Sequence, residues 1–323
     1  MAGGRALRAG AEGVGTGMRN AFVNTLIECA RQDPAVALLM AEVGFSVVEP
    51  FEKEFPSRFY NTGIAEQNLV LTAAGMALEG MRPVAYSMSA FLASRAFELI
   101  KVSVCYQDLP VVLASIGTGL SYSELGATHH ATEESALMRA LPNLNVFFPA
   151  DGAELSGALR FALRAEHPSY ISFPKLPDKP LPAHPFEMGK AVRYCDGGDG
   201  AVLAIGHSVV EALAAAQALE QQGIRLSVYG FHTVKPFDRG AVLEACATGS
   251  LFVVDEHQQC AGMAGEAAKA VLEGGKTLRH FCDYSIPDCF SDHVARYAQM
   301  QEQYGLSAAR LARRISETLG GGR

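Results

Sequence analysis

Short apolar runs alternate with helical patterns along this chain, and no other feature of the sequence limits its fold as strongly. Residues 110–116, Pro-Val-Val-Leu-Ala-Ser-Ile, form an almost continuous apolar run that Gly117 follows, which is typical of a strand buried on both faces. Similar strand candidates lie at residues 35–40, 82–86, 146–149, 169–173, 200–205, 226–230 and 251–255. Because such strands need helices on both faces, we predict an α/β fold with largely parallel sheets.

A cluster of prolines divides the chain. Residues 174–185 contain prolines at too many positions for a helix or a central strand. We therefore predict two domains, each a largely parallel sheet flanked by helices, at residues 18–176 and 187–323, joined by a Pro-rich linker at 177–186. Residues 1–17 are Gly-rich without periodicity, and we predict a mobile tail there.

The composition narrows the class of protein. The net charge of −7 without any run of Lys or Arg argues against nucleic acid or an anionic membrane as a partner. No apolar run approaches the roughly 18–20 residues of a membrane span, and we expect a cytoplasmic protein. The 7 cysteines form no CxxC pair and the 9 histidines show no metal-ligand spacing, so we expect no metal site made by this chain alone.

Glu66 stands at the start of a helical pattern whose residues 69–78 are mostly apolar, so we predict that its side chain points into an interior or an interface. One interpretation is local: an acidic residue in the first turn meets the positive end of the helix dipole, with Asn61 and Thr62 as caps. The other is chemical: a carboxyl group in a dry site has a raised pKa and can exchange a proton with a ligand. In parallel sheets ligands sit beyond the carboxyl ends of the strands, where we expect Glu66, Phe91 and His129.

Three ordered segments of the first domain strengthen the chemical interpretation. They are FYNTGIAEQNLVLTAAGMALEG, YSMSAFLASRAFELIK and the loop that ends in LGATHHATEESALMRALPNLNVFFPAD. Together they resemble the pyrimidine-binding domain of transketolases, with similar segments in 1-deoxyxylulose-5-phosphate synthases and in beta subunits of 2-oxoacid dehydrogenases. In the second domain SVYGFHTVKPFD and LFVVDEHQQCAGMAG resemble the C-terminal domain of the same family.

The resemblance implies thiamine diphosphate as cofactor, with Mg²⁺ bound by a separate N-terminal subunit. We expect that partner because the chain lacks a diphosphate-binding domain and a Gly-Asp-Gly motif followed by Asn at the family's spacing. It implies an α2β2 heterotetramer that moves a two-carbon ketol unit from a ketose to an aldehyde, acting on small sugars or sugar-derived substrates. A 2-oxoacid-decarboxylating relative and a non-catalytic partner subunit remain alternatives.

The resemblance also assigns roles to residues. Glu66 would hydrogen-bond the aminopyrimidine ring, and either Phe91 or Phe97 would pack against that ring. Arg95 would face the site or pair with Glu98, and Ile64 belongs to the expected cofactor-binding set.

His129 would contact the oxygens of the substrate, whereas we expect His130 to be a loop residue in water. Two departures concern the acceptor: Leu125 stands where transketolases tend to have Asp, and Gly117 where they have a phosphate-contacting His. Lys175 lies near the family's phosphate-binding Arg and could bind a phosphate or sulfonate as a point charge. We therefore expect an acceptor other than an ordinary aldose phosphate.

Overall fold

The computed structural model describes residues 17–43 and 47–320, so the predicted tail lies almost entirely outside the described residues. The chain forms two α/β domains, each with a mostly parallel sheet flanked by helices, and the predicted fold class is confirmed. The first domain contains the elements α1 Met18–Gln32, β1 Val36–Met40, α2 Glu49–Glu54, β2 Phe59–Asn61, α3 Glu66–Leu78, β3 Arg82–Met88, α4 Ser89–Arg95, α5 Phe97–Leu99, β4 Val112–Ile116, α6 Glu134–Arg139, β5 Asn145–Phe147, α7 Gly152–Ala162 and β6 Ser169–Phe173. The second contains β7 Val192–Cys195, β8 Gly200–Ile205, α8 Ser208–Glu220, β9 Leu226–Phe231, β10 Thr233–Lys235, α9 Arg239–Ala245, β11 Ser250–Gln258, α10 Met263–Glu273, β12 His280–Ile286, α11 Tyr297–Tyr304 and α12 Ala308–Gly320.

The first sheet has seven strands in the order β10-β5-β6-β4-β3-β1-β2. All neighbours pair in parallel except β10, which runs antiparallel to β5. Strand β1 shows why its sequence is apolar throughout: Leu38 packs into the core under α1 and α7, and Leu39 into the core under α3 and α4. Successive side chains of a strand point to opposite faces, so a strand covered on both sides needs apolar residues at every position.

The second sheet has five strands in the order β12-β11-β8-β9-β7, and only the edge strand β7 is antiparallel. One of its faces packs against α8, α11 and α12. The other face packs against α9 and α10 and is continuous with the core of the first sheet. The two domains therefore share a hydrophobic core.

The Pro-rich segment packs against the first domain. No helix or strand occurs between Phe173 and Val192, yet the Leu181 amide donates to Asp151 Oδ2 at 2.9 Å and the Phe186 ring lies 6.2 Å from that of Phe147. This segment therefore lies against the start of α7 and against β5 of the first domain.

The sequence pattern predicts one helix over residues 92–106, and the structure divides this stretch. Helix α4 begins earlier, at Ser89, and ends at Arg95; the short α5 and a π-helical turn at Ile100–Cys105 follow. Within the described ranges, no helix is both long and apolar enough to cross a membrane.

Candidate active site

Glu66 is buried, with 1% of its surface exposed, at the first residue of α3. The loop before it is anchored to the carboxyl end of β1, because the Thr62 amide donates to Met40 O at 2.9 Å. Gly63 turns the chain there with a φ of 70°, a conformation that favours glycine.

The predicted caps of α3 are wrong. The N-cap residue is Ala65, and no side chain in the described part of the chain caps the helix. Asn61 uses its Oδ1 to accept from the Gly63 amide, and Thr62 Oγ1 donates to Met40 O. Both side chains stabilise the preceding turn because their local backbone partners are closer than the helix start.

Arg95 forms an ion pair with Glu66, with 2.6 Å between Nη1 and Oε2. The sequence left open whether Arg95 faces the site or pairs with Glu98, and the structure places its guanidinium on Glu66. The Arg95 side chain is 47% exposed, so the pair connects a buried carboxylate to the surface. Within the described residues, Glu66 Oε1 makes no hydrogen bond to a side chain or the backbone.

Two further predicted residues, Phe91 and His129, lie next to the Arg95–Glu66 ion pair. The guanidinium carbon of Arg95 lies 5.0 Å from the centroid of the Phe91 ring, within reach of a cation–π contact. The Phe91 ring meets the His129 ring edge to face, with centroids 5.2 Å apart. Glu66, Arg95, Phe91 and His129 thus form a continuous row, which we call the Glu66–His129 row, at the carboxyl edge of the first sheet.

The two adjacent histidines face different surroundings. His129 is half-buried, and its Nδ1 lies 2.9 Å from Thr128 Oγ1. The expectation that His130 lies in water is wrong: its side chain is buried, and burial lowers its pKa. The loop turns between them so that one ring joins the Glu66–His129 row and the other enters the interior.

The other predicted site residues lie outside this row. Phe97 packs against the shared hydrophobic core, and Ile64 is 76% exposed. Leu125 and Lys175 line a cleft of about 230 Å³ together with Ser121 and Tyr122. Lys175 Nζ lies 5.0 Å from the centroid of the Tyr122 ring.

A buried polar chain beside the row was not predicted. Ser89, at the start of α4, hydrogen-bonds to the hydroxyls of Ser115 and Ser172. Ser115 donates to Tyr170 Oη, and Tyr170 donates to Glu134 Oε2. Burial and the neighbouring Glu134 carboxylate raise the pKa of Tyr170 well above its usual value, so its proton stays in place.

This polar chain continues into the second domain. Glu134 Oε1 lies 3.5 Å from Nε2 of the buried His257, whose Nδ1 is 2.6 Å from Asp255 Oδ1. Burial alone would disfavour the charged imidazole, but the carboxylates of Asp255 and Glu134 raise the pKa of His257 to about 10. The only sequence signal for this ion-pair group is the Asp-Glu-His run within LFVVDEHQQCAGMAG.

No cluster of three or more His, Cys, Asp or Glu residues with the geometry of a metal site occurs within residues 17–43 and 47–320. The chemistry of the row is that of a carboxylate, a cation, an aromatic face and a histidine.

Two family models match the chain. The model described as transketolase, pyrimidine binding domain, covers residues 15–177, and the one described as transketolase, C-terminal domain, covers residues 189–311.

Individual proteins agree with these matches. A Methanocaldococcus jannaschii protein named as the C-terminal section of a transketolase is 32% identical, over 95% of this chain and 98% of its own length. A 6-deoxy-6-sulfo-D-fructose transketolase subunit of Clostridium sp. MSTE9 is 33% identical, over 93% of this chain and 94% of its own length. A 1-deoxy-D-xylulose-5-phosphate synthase of Magnetococcus marinus is 34% identical over 95% of this chain, which spans 50% of that enzyme. Among solved structures, a split-gene transketolase in an inactive β4 tetramer superposes with a TM-score of 0.87 at 33% identity, covering 96% of this chain and 100% of that one.

Proposed function

Because this chain belongs to the transketolase family, we propose that it supplies the pyrimidine-binding half of the active site of a thiamine-diphosphate-dependent transketolase. The reaction is transfer of a two-carbon ketol unit from a ketose donor to an aldehyde acceptor. The observation that carries this proposal is the Glu66–His129 row, in which a buried carboxylate, an aromatic face and a histidine lie side by side at the carboxyl edge of a parallel sheet.

The residues present fit an aminopyrimidine. Within the described residues Glu66 hydrogen-bonds through Oε2 to Arg95, so the other oxygen of this buried residue is available to a ring nitrogen. Phe91 is half-buried and offers a flat apolar face nearby. Glu66 and Phe91 would hold the pyrimidine end of the cofactor, and Arg95 would hold the Glu66 carboxylate in place.

Thiamine diphosphate, held at its pyrimidine end by Glu66 and Phe91, would supply the carbon nucleophile that the ketol transfer requires. Glu66 holds and returns a proton at Oε1, and burial keeps that proton away from water. The His129 imidazole donates a hydrogen bond to, or exchanges a proton with, an oxygen of the substrate near neutral pH.

A separate N-terminal subunit would bind the diphosphate and Mg²⁺, in an α2β2 heterotetramer. The inactive state of the split-gene relative, which contains one kind of subunit, supports the need for a partner. Ile64, Leu71 and Leu78, at and before α3, are 76%, 46% and 62% exposed, and this apolar surface suits a subunit interface close to Glu66.

Lys175 suggests the class of acceptor or donor. A single ammonium, in a cleft lined by hydroxyl groups and by Glu124, can attract one negative charge but lacks the bidentate geometry of arginine. One relative is named as a 6-deoxy-6-sulfo-D-fructose transketolase subunit, and the sugar in that name carries its negative charge on a sulfonate. Sulfonated sugars are therefore the first anionic substrates to test. Lys175→Met should raise the KM for an anionic sugar and leave that for an uncharged sugar unchanged.

A second candidate activity is the decarboxylating condensation of a 2-oxoacid with an aldehyde. It is favoured by the similarity to 1-deoxy-D-xylulose-5-phosphate synthases, which extends over 95% of this chain.

Reconstitution with the partner subunit tests the proposal. The chain alone should bind thiamine diphosphate weakly and show no turnover, and the complex should convert hydroxypyruvate and an aldehyde to a ketose. Turnover of pyruvate instead would establish the second candidate. A complex that binds the cofactor but turns over neither donor would identify a non-catalytic subunit.

A further inference from the structure

The loop that carries His129 is closed at its base by the chain itself. Gly119 and Ala131 form an isolated antiparallel bridge, and the Ala131 amide donates to Gly119 O at 2.9 Å. Residues 120–130 therefore form a loop whose two ends are held together by the pairing of Gly119 with Ala131. The position of His129 depends on how firmly this base is held.

Strand β11 of the second domain holds both sides of the base. On the entering side, the Leu120 amide donates to Glu256 Oε2 at 3.4 Å. On the leaving side, the Gln258 amide donates to Thr132 O at 2.8 Å. Two residues of one strand end thus fasten the loop immediately before and after the bridge, and we call Glu256 and Gln258 the loop clamp.

Glu256 is fixed from behind by α11. Its Oε1 accepts hydrogen bonds from the Tyr297 hydroxyl and from Gln301 Nε2, the latter at 3.1 Å. Gln301 Nε2 also donates to Tyr297 Oη at 2.9 Å. A buried carboxylate with donors on both oxygens has one orientation, because turning it would leave polar groups unpaired.

The contact between the clamp and the loop leaves no room for a larger residue. Gly119 has a φ of 55°, and a Cβ placed on it would lie 2.8 Å from the Glu256 Cβ. On the outer side of the loop, Val294 approaches Gly126 so closely that a Cβ there would lie 2.9 Å from its Cγ1. The second domain therefore contacts the loop at its base and beside His129.

We propose that Glu256 and Gln258 are positioning residues for His129, so that the second domain sets the geometry of the substrate-facing histidine. The catalytic part of this inference rests on the proposed function, in which His129 contacts the substrate. A displacement of about 1 Å in such a group can lower turnover on the order of 100-fold.

Amide hydrogen exchange of the full-length chain tests the clamp without any activity. Glu256→Ala should accelerate exchange at Leu120 and Ala131 by at least about 10-fold, because their hydrogen bonds close the base of the loop. Asp238→Ala is the matched control: this carboxylate of the second domain also accepts an amide from another segment, that of Ala191, away from the loop. It should leave exchange at residues 117–132 unchanged. Unchanged exchange in Glu256→Ala would overturn the proposal.

A double-mutant cycle in the reconstituted complex tests the positioning role. Glu256→Ala should lower kcat about 10- to 100-fold with His129 present and cause no further loss in His129→Ala. Glu256→Gln keeps an oxygen for the Leu120 amide but turns an NH2 toward the Gln301 donor, so its turnover should lie between that of Glu256→Ala and that of wild type. Equal losses in both backgrounds would show a merely structural effect and overturn the positioning role. If His129→Ala itself turns over like wild type, the role proposed for His129 fails, and with it the positioning role, while exchange still decides whether the second domain clamps the loop.

Discussion

Glu66 and Glu134 are both carboxylates that the fold removes from water, since each is only 1% exposed, but their surroundings differ. Glu134 is enclosed by its own chain, with the Tyr170 hydroxyl on one oxygen and the His257 imidazole beside the other. Among residues 17–43 and 47–320, Glu66 has a single partner, Arg95, whose side chain is 47% exposed.

This difference separates a structural carboxylate from a binding one. Burying a charge is tolerated only when partners compensate it, and Glu134 has them within the folded chain. Glu66 is only partly compensated, and its second oxygen remains available to a ligand. Although the two carboxylates are equally buried, we expect mutation of Glu66 to reduce activity and mutation of Glu134 to reduce stability. The mutations below test this difference.

The largest effect is expected for Glu66→Gln. In the reconstituted complex the amide cannot take up a proton, so we expect kcat to fall about 100- to 10,000-fold. The thermal midpoint of the chain should change little, because Arg95 can turn into water. Glu79→Gln, just past the other end of α3, is the control and should keep wild-type turnover. Wild-type activity in Glu66→Gln would show that this carboxylate does not act in the reaction.

Glu134→Ala, in contrast to Glu66→Gln, should mainly lower the stability of the fold. Removing it leaves the buried Tyr170 hydroxyl without its acceptor and leaves the His257 imidazolium with Asp255 as its remaining carboxylate, which costs on the order of 1–3 kcal/mol of unfolding free energy. Urea denaturation followed by circular dichroism measures this loss. The exposed neighbour Glu133→Ala should stay close to wild type. If Glu134→Ala unfolds at the same urea concentration as wild type, the two carboxylates are not distinguished by their enclosure.

The pH dependence of stability tests whether the His257 imidazole beside Glu134 is charged in the folded chain. The folded pKa of His257 is raised from 6.5 to about 10, so its charged form stabilises the fold fully below pH 6.5, and this contribution is lost as pH rises toward 10. We expect the gap in thermal midpoint between wild type and His257→Gln to narrow steadily over this range. A gap that widens with pH would mean that His257 is neutral in the folded chain.

Phe91→Leu should have the smallest effect. Loss of ring-on-ring contact with an aminopyrimidine would weaken cofactor binding by about 0.5–1.5 kcal/mol, or about 2- to 13-fold in Kd. Titration of the reconstituted complex with thiamine diphosphate measures it. Phe97→Leu serves as the comparison, because that side chain packs against the core and should affect stability instead. The opposite result would exchange the roles of the two rings.

Much of the fold could be predicted from local pattern. Strands β6 and β8 occupy the predicted residues, because runs buried on both faces are apolar at nearly every position. Strand β10 was not predicted, since three residues are too few for a pattern and its partner β5 lies far away in the sequence. The break at residue 96 between α4 and α5 was also not predicted, because no proline marks it in the sequence.

The site was predictable only in part. The order of motifs placed Glu66, Phe91 and His129 in one region, and their contacts agree with that. Helical spacing allowed Glu98 as a partner of Arg95 and left the site as the alternative, whereas the actual partner lies 29 residues away on another helix. The ion-pair group around His257 joins α6 of the first domain to β11 of the second, and no local pattern encodes such a meeting.

Strand β10 has a consequence for anyone who exchanges parts between relatives. It leaves the second domain to complete the edge of the first sheet, so a chimera joined within the Pro-rich segment replaces a strand of the domain it was meant to keep. The graft would bring foreign side chains opposite Val146 and Phe147. Successful recombination of this chain should therefore require that β5 and β10 come from the same parent, whatever the position of the junction.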